Sequence, residues 1–180
     1  MKKQILFTII GAVILFVWQF LSWAVTDIHK SANEYTPKQD EILAKLDELG
    51  LEEGMYFLGQ PDPALSKEEQ EAAYADMAGK SWAVINYQKN MSMDMVMPMI
   101  RGFLVNLVIA WMLFWMFRQQ KDPTLMNRLY MAGFAGIIVF LTIPYIGYIW
   151  YREPDIWAYL LDCLVPFIII GFIGHKMAKD

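Results

Sequence analysis

The chain has few of the residues that build disulfides, metal centres and nucleophilic active sites. Its 180 residues include one cysteine, Cys163, so no internal disulfide can form. There are two histidines, His29 and His175. The sequence contains no glycine-rich phosphate loop, nucleophile elbow or His-Glu metal motif. These absences leave enzymatic activity undecided but favour a protein that is not an enzyme.

Apolar residues, in contrast, make up 57% of the chain and gather in four runs. The runs are Ile5–Val25, Pro98–Phe117, Tyr130–Trp150 and Ile156–Gly174. Each is close to the roughly 20 residues that a helix needs to cross about 30 Å of hydrocarbon. The predicted fold class is therefore a mostly α membrane protein, with four transmembrane helices and a small extracytoplasmic α/β insert between helices 1 and 2.

The same runs give the predicted division of the chain. Transmembrane helix 1 covers 1–26, the insert 27–96, transmembrane helix 2 97–118, a cytoplasmic loop 119–129, transmembrane helix 3 130–150, an outer loop 151–155, transmembrane helix 4 156–174 and a cytoplasmic tail 175–180. The first run is longer than the roughly 7 to 15 apolar residues of a signal-peptide core. We therefore expect it to be an anchor that is not cleaved.

Lysine and arginine in the short flanks predict the orientation, because cytoplasmic flanks are enriched in both. One side receives Lys2, Lys3, Arg118, Lys121, Arg128, Lys176 and Lys179, whereas the short loop 151–155 on the other side has Arg152 alone. Both termini should therefore be cytoplasmic and the insert should lie outside. From residue 27 to residue 94 six lysines face fourteen acidic residues, a net charge of −8, which argues against binding nucleic acid.

Local patterns in the insert predict two helices and two strands in alternation. Thr36-Pro37 begins a helix that ends at Leu49, and the capping box of Ser66 and Glu69 begins a second helix that ends before Gly79. The segments 55–58 and 82–87 are rich in strand-forming residues and flanked by glycine. A unit of this size buries little surface, so we expect it to pack on the membrane helices or on another protein.

Each apolar run carries one polar residue in its outer half. They are Gln19, Asn106, Thr142 and Asp162, at heights of about 16 to 21 Å above the inner end of each helix. Asp162 needs compensation, since a carboxylate in hydrocarbon costs about 2.5 to 3.5 kcal/mol on the mildest scale. One interpretation is an outward-facing pocket that binds a cation or proton at Asp162, beside Arg101 and His29, with Asn106 and Gln19 orienting a ligand. The other is a structural ion pair of Arg101 with Asp162, in which amides bridge the helices.

Five methionines alternate directly before the second run, at Met91, Met93, Met95, Met97 and Met99. Thioether sulfur is a soft ligand that selects Cu(I), and the segment resembles the Met-rich segments of copper transporters and copper-resistance proteins. The alternative is that these flexible side chains fill an irregular interface. His29 and His175 are separated by about 30 Å of hydrocarbon, so no bis-His haem forms within one chain. We otherwise expect no cofactor.

Phe16-Val17-Trp18-Gln19-Phe20-Leu21-Ser22-Trp23, followed by an insert with Gly54-Met55-Tyr56-Phe57 and three more spans, resembles a family of uncharacterised four-span bacterial inner-membrane proteins. The resemblance implies a bacterial plasma membrane and a periplasmic insert, and it implies no activity.

Taken together, these features predict an accessory or scaffolding subunit of an inner-membrane complex, with other membrane proteins or a second copy as partner. The alternative function is a small-solute or Cu(I)/cation handling protein that uses the polar pocket and the Met-rich segment.

Overall fold

A computed structural model describes residues 1–121 and 123–177. Asp122 of the predicted cytoplasmic loop and residues 178–180 of the predicted tail, including Lys179, lie outside the described residues. The chain forms two compact units, Met1–Glu34 with Asp94–Asp180, and Tyr35–Met93. We call the first the membrane unit and the second the insert unit. The insert unit is narrower than the predicted 27–96, because residues 27–34 and 94–96 group with the membrane helices.

The described elements are mostly helical. In chain order they are α1 (Lys2–Phe20), a π-helical turn (Leu21–Val25), a 3-10 turn (Asp27–Ala32), α2 (Gln39–Glu48), β1 (Gly54–Leu58), α3 (Lys67–Met77), β2 (Ala83–Tyr87), α4 (Val96–Arg118), α5 (Leu125–Thr142), α6 (Pro144–Tyr151) and α7 (Ile156–Met177). Within the described residues, four stretches are long and apolar enough to span a membrane: Lys2–Val25, Val96–Arg118, Leu125–Tyr151 and Ile156–Met177. The predicted fold class, four spans with an α/β insert, is confirmed. The extracytoplasmic side of the insert stays a prediction.

The third span is two helices joined at Ile143. Pro144 has no backbone N–H and its ring disfavours a helical conformation at the residue before it. Ile143 accordingly takes φ −124° and ψ −71°, and α6 begins at Pro144. The third span is thus broken into two helices at this proline.

The membrane unit is held by aromatic packing and by close helix contacts. α1 packs against α4 and α7, and α5 packs against α7, whereas α4 and α5 touch only slightly. Phe7 of α1 lies between two rings of α4, 5.0 Å from Phe114 and 6.0 Å from Phe117 between ring centroids. At Gly136 of α5, an added Cβ would lie 2.0 Å from the carbonyl oxygen of Cys163. The backbones of α5 and α7 can approach this closely because Gly136 has no side chain.

The insert unit is a two-stranded antiparallel sheet with two helices. β1 pairs with β2 in the register that places Gly54 opposite Tyr87. The capping box predicted at Ser66 forms: Glu69 N–H donates to Ser66 Oγ at 3.3 Å, and Ser66 N–H donates to Glu69 Oε2 at 2.9 Å. The first helix begins at Gln39 instead of Pro37, since Lys38 departs from helical angles while its N–H donates to Thr36 Oγ1.

The insert unit has almost no core. Its residues 35–93 are all described, and Pro61 and Tyr87 are the only buried ones among them. Neither α2 nor α3 contains a buried residue. The Tyr87 hydroxyl donates a hydrogen bond to Asp47, which raises the pKa of the phenol above its usual 10.0.

Candidate functional site

Asp162 of α7 is the centre of a polar cluster near the C-terminal end of α1, which is the end predicted to lie on the outer side. Its Oδ1 accepts hydrogen bonds from Trp18 Nε1 at 2.9 Å and from Ser22 Oγ at 2.5 Å. Trp18 and Ser22 lie four residues apart and therefore share one face of the helix that packs on α7. Two hydrogen bonds, one from α1 and one from the π-helical turn, thus offset part of the cost of placing this carboxylate among apolar helices.

His29 supplies the third contact to the carboxylate. Its Nε2 lies 2.8 Å from Asp162 Oδ2 and 3.1 Å from Ser22 Oγ, and the residue is 4% exposed. An ionised carboxylate oxygen only accepts hydrogen bonds, so Nε2 is the donor in this contact whenever Asp162 is ionised. The imidazole also packs against two aromatic rings. It stacks on Trp23 with 4.0 Å between ring centroids and 4° between ring planes, and it contacts Tyr159 edge-on at 5.0 Å and 64°. His29 therefore has both its plane and its nitrogen fixed.

The chain brings His29 to Asp162 by ending α1 with two unusual turns. In the π-helical turn Thr26 N–H donates to the carbonyl of Leu21, five residues back, and Thr26 Oγ1 donates to the carbonyl of Ser22 at 2.9 Å. The 3-10 turn that follows folds the chain back over its own helix, so that His29 reaches Ser22. Single π turns of this kind occur frequently at functional sites.

A second polar contact joins α1 to α4. Asn106 Nδ2 donates to Gln19 Oε1 at 2.9 Å, and Gln19 Nε2 lies 3.4 Å from Asn106 Oδ1. Asn106 is 1% exposed, whereas Gln19 is exposed. The two amides predicted for the pocket thus meet each other, and the described hydrogen bonds place neither on Asp162.

Two residues predicted for this site lie elsewhere. Among the described ion pairs Asp162 has His29 as partner and not Arg101, so the predicted Arg101–Asp162 pair does not form. The prediction considered only how far each residue lies along its helix. Arg101 is exposed and points about 140° away around α4 from Asn106, which faces α1, so it does not face the interface with α1. Thr142 is exposed, and its hydroxyl donates to the carbonyl of Ile138 at 2.7 Å in its own helix. Of the six predicted residues, the structure therefore brings Asp162 to His29 and Gln19 to Asn106.

The cluster does not have the geometry of a catalytic triad. In a triad the histidine uses one ring nitrogen for the carboxylate and the other for the serine. Here Nε2 meets both Ser22 Oγ and Asp162 Oδ2, while Nδ1 is buried without a hydrogen-bond partner among the described residues. The hydroxyl donates to the carboxylate and has no base of its own, so it is a poor nucleophile. The arrangement crosslinks helices.

A groove of about 410 Å³ begins at this cluster and runs along the membrane helices. Its walls come from α1, the π-helical turn, α4, α5 and α7, and they are mainly apolar apart from Asp162 and Gln19. The groove includes Trp18, Trp23, Met112, Val139 and Pro166.

Sequence reasoning missed Trp18, Ser22 and Arg128. The four-residue spacing of Trp18 and Ser22, which places both on one helix face shortly before His29, could have indicated their contact with Asp162. Arg128 was counted as a flanking charge, yet it is 2% exposed, with its guanidinium carbon 5.3 Å from the ring centroid of Phe117. Among the described residues its Nε and Nη1 have no hydrogen-bond partner. No feature of the sequence near Arg128 indicates this burial.

The five methionines are all exposed but belong to different units. Met91 and Met93 end the insert unit, whereas Met95, Met97 and Met99 begin the membrane unit. Met95 is the N-cap of α4, and Met99 N–H donates to the carbonyl of Met95. Met95 and Met99 therefore lie one helical turn apart. Binding of Cu(I) to these residues stays a prediction.

Comparison with known proteins identifies the family. The family model described as integral membrane protein EMC3/TMCO1-like matches residues 4–151, which is most of the chain. The chain belongs to the EMC3/TMCO1-like family. The match covers Trp18, Ser22 and His29 and stops before Asp162, so the cluster joins family residues to a helix outside the match. No curated protein and no solved structure matches the chain. Membership agrees with the predicted integral membrane protein, while its bacterial origin stays a prediction.

Proposed function

We propose that this EMC3/TMCO1-like protein is a non-catalytic subunit of a membrane protein complex, and that its insert unit contacts the partner. The observation that carries the proposal is the lack of a core in the insert unit, where Pro61 and Tyr87 alone are buried. Units of about 60 residues are marginally stable even when they bury a normal core. A partner surface would supply the burial that this unit lacks.

The insert unit also exposes a face suited to such a contact. The helix α2 carries Ile42, Leu43 and Leu46 at helical spacing, followed by Leu49, and none of the four is buried. β1 exposes Met55, and Trp82 directly before β2 is exposed as well. Aromatic residues and methionine are enriched in protein interfaces. The chemistry of this surface therefore supports a protein partner, either another membrane protein or a second copy.

The polar cluster supports a structural role. The three partners of Asp162 tie α7 to α1 and to the turn after α1, and the Gln19–Asn106 pair ties α1 to α4. Interhelical hydrogen bonds in membranes contribute about 0.6 to 1.7 kcal/mol each. A subunit whose helices are fixed in this way offers a stable frame for its partner.

A photo-crosslinking amino acid at Ile42, compared with one at Ala44, tests the proposal. The two positions lie about 200° apart on α2 and both are exposed, so they differ mainly in the face that they present. The proposal expects one discrete crosslinked product at Ile42 in native membranes, and none at Ala44. Equal labelling at both positions, or no product at either, would count against a partner on this face.

We also propose that the protein lies in a bacterial inner membrane with both termini cytoplasmic and the insert unit periplasmic. The excess of lysine and arginine in the flanks on one side of the spans supports this orientation. An impermeant thiol reagent on intact cells should label Lys67→Cys, and should label Lys2→Cys only after the cells are permeabilised. Protection of Lys67→Cys together with labelling of Lys2→Cys would reverse the orientation.

Binding of Cu(I) is a second candidate function, favoured by the spacing and exposure of Met95 and Met99. Two thioethers one helical turn apart can share one soft metal ion. Anaerobic titration with Cu(I) against a competing chelator should show weaker binding in the double variant Met95→Leu, Met99→Leu than in Met97→Leu. Equal affinity in both variants would exclude this pair as the ligands.

A further inference from the structure

The C-terminal end of α4 and the beginning of α5 line a groove in the membrane unit. It measures about 650 Å³ and lies where the two helices touch only slightly. Its apolar lining consists of Met116, Tyr130, Met131, Phe134, Ala135 and Ile138. Tyr130, Phe134 and Ile138 repeat every four residues along α5 and are all exposed. The lower part of the groove is therefore a continuous apolar trough.

Polar and basic groups form the mouth of this groove. Gln120, Lys121 and Asn127 line it, and Gln120 Nε2 donates to the carbonyl of Asn127 at 2.9 Å. The Oε1 of Gln120 is buried without a hydrogen-bond partner among the described residues. The Lys121 side chain is exposed and brings a positive charge to the mouth.

The sequence that flanks the mouth carries a net positive charge. From Arg118 to Arg128 the sequence holds Arg118, Lys121 and Arg128 against one acid, Asp122. Arg128 follows Asn127 directly and is buried with two guanidinium nitrogens unpartnered among the described residues. An anion at the mouth would contact Lys121, which lines the groove.

We propose that this groove binds an acidic phospholipid, with the headgroup phosphate at Lys121 and one acyl chain along Tyr130, Phe134 and Ile138. Basic pockets between membrane helices are known recognition sites for anionic headgroups. The basic mouth and the apolar trough select different parts of one molecule. A free phosphate would use the mouth alone, and a zwitterionic lipid would lack the net charge that the mouth attracts.

Native mass spectrometry of the full-length protein, released from detergent and titrated with single lipids, tests the site. Phosphatidylglycerol should bind more tightly than phosphatidylcholine of the same chain length. Lys121→Gln should weaken the binding of phosphatidylglycerol about fivefold, since one basic residue near an anionic surface contributes about 1 kcal/mol. Lys2→Gln is the matched control, because Lys2 is an exposed lysine that does not line the groove, and it should leave the affinity unchanged.

The trough needs its own pair of variants. Phe134→Ala should weaken phosphatidylglycerol, whereas Phe172→Ala should not, because Phe172 is exposed on α7 away from the residues that line the groove. Inorganic phosphate should fail to displace the lipid. The proposal is overturned if phosphate competes at the same concentration as the lipid, if both lipids bind equally, or if a co-purified protein occupies the groove and crosslinks at Phe134.

Discussion

His29 Nε2 lies 2.8 Å from Asp162 Oδ2, a contact between residues 133 positions apart. It ties the turn that follows the first span to the first third of the last helix. Trp18 and Ser22 hold the other carboxylate oxygen, so the three donors on one side of the interface meet a single acceptor group on the other. The cluster is therefore a cooperative unit, and its members should not act independently when they are changed.

Asp162→Asn should destabilise the membrane unit by about 1 to 3 kcal/mol, measured as unfolding in mixed micelles. The asparagine amide would keep one acceptor for Trp18 and Ser22, but its NH₂ would face the N–H of His29 as a second donor. His29→Phe keeps the ring stack on Trp23 and removes the nitrogen. In a double-mutant cycle the two changes should couple by more than 0.5 kcal/mol, as contacting residues do.

Arg101→Gln is the control for the same cluster. Arg101 is exposed and Asp162 pairs with His29 instead, so this change should leave the unfolding free energy within about 0.5 kcal/mol of the parent. Strict additivity of Asp162→Asn and His29→Phe, or a large loss on Arg101→Gln, would contradict the geometry described above.

Asn106→Leu should cost about 0.6 to 1.7 kcal/mol, because it removes a hydrogen-bonded amide between α1 and α4 and leaves Gln19 without its partner. The double variant Gln19→Leu, Asn106→Leu should recover most of the loss, since it leaves no orphaned amide. The measurement is again unfolding in mixed micelles. A double variant that is as unstable as the sum of its parts would show that the two amides do not depend on each other.

Gly136→Ala should destabilise the packing of α5 on α7, whereas Gly133→Ala should be tolerated. A Cβ at Gly136 would lie 2.0 Å from the backbone oxygen of Cys163, which cannot move without shifting a helix. At Gly133 it would lie 3.4 Å from the flexible end of Ile168. Overpacking of this kind costs about 1 to 3 kcal/mol. Thermal unfolding of both variants in one detergent checks the difference, and equal melting temperatures would disprove the close approach.

The cap of α3 should be lost in acid. The backbone hydrogen bond from Ser66, and then its side-chain hydrogen bond, hold the pKa of Glu69 below its usual 4.5. A carboxyl group with a lowered pKa stabilises the fold fully above the unfolded value and loses that contribution as the pH falls through the folded value. Carbon chemical shifts of Glu69 should therefore titrate below 4.5 as the first turn of α3 frays. In Glu69→Gln the acid-induced fraying should be absent.

The sequence was sufficient for the membrane spans, because length and apolarity alone decide whether a helix can cross a bilayer. Capping chemistry was also readable: Ser66 and Glu69 formed the predicted box. Helix bounds shifted by two residues at Pro37, where the angles of Lys38 delay the first turn. The break at Ile143 follows from Pro144, because the residue before a proline is itself driven from the helical region.

The candidate site was predicted in part. Asp162 was identified as needing compensation, and Gln19 and Asn106 as bridging amides. The choice of His29 over Arg101 was not predictable from heights along the helices, since rotation about each axis depends on packing. The π-helical turn at Leu21–Val25 leaves no clear mark in the sequence, yet it and the 3-10 turn after it direct the chain so that His29 lies over Ser22.

Pro166 lies within α7, four residues after Asp162. A proline has no backbone N–H, so the carbonyl oxygen of Asp162 does not accept the hydrogen bond that residue 166 would normally donate. The helix therefore lacks a backbone hydrogen bond directly after the residue that contacts α1. Further along, Gly171 and Gly174 allow its C-terminal half to pack closely against other helices. We expect bending of α7 to concentrate at this missing hydrogen bond. The two halves of the last span can then respond separately to what contacts each surface of the bilayer.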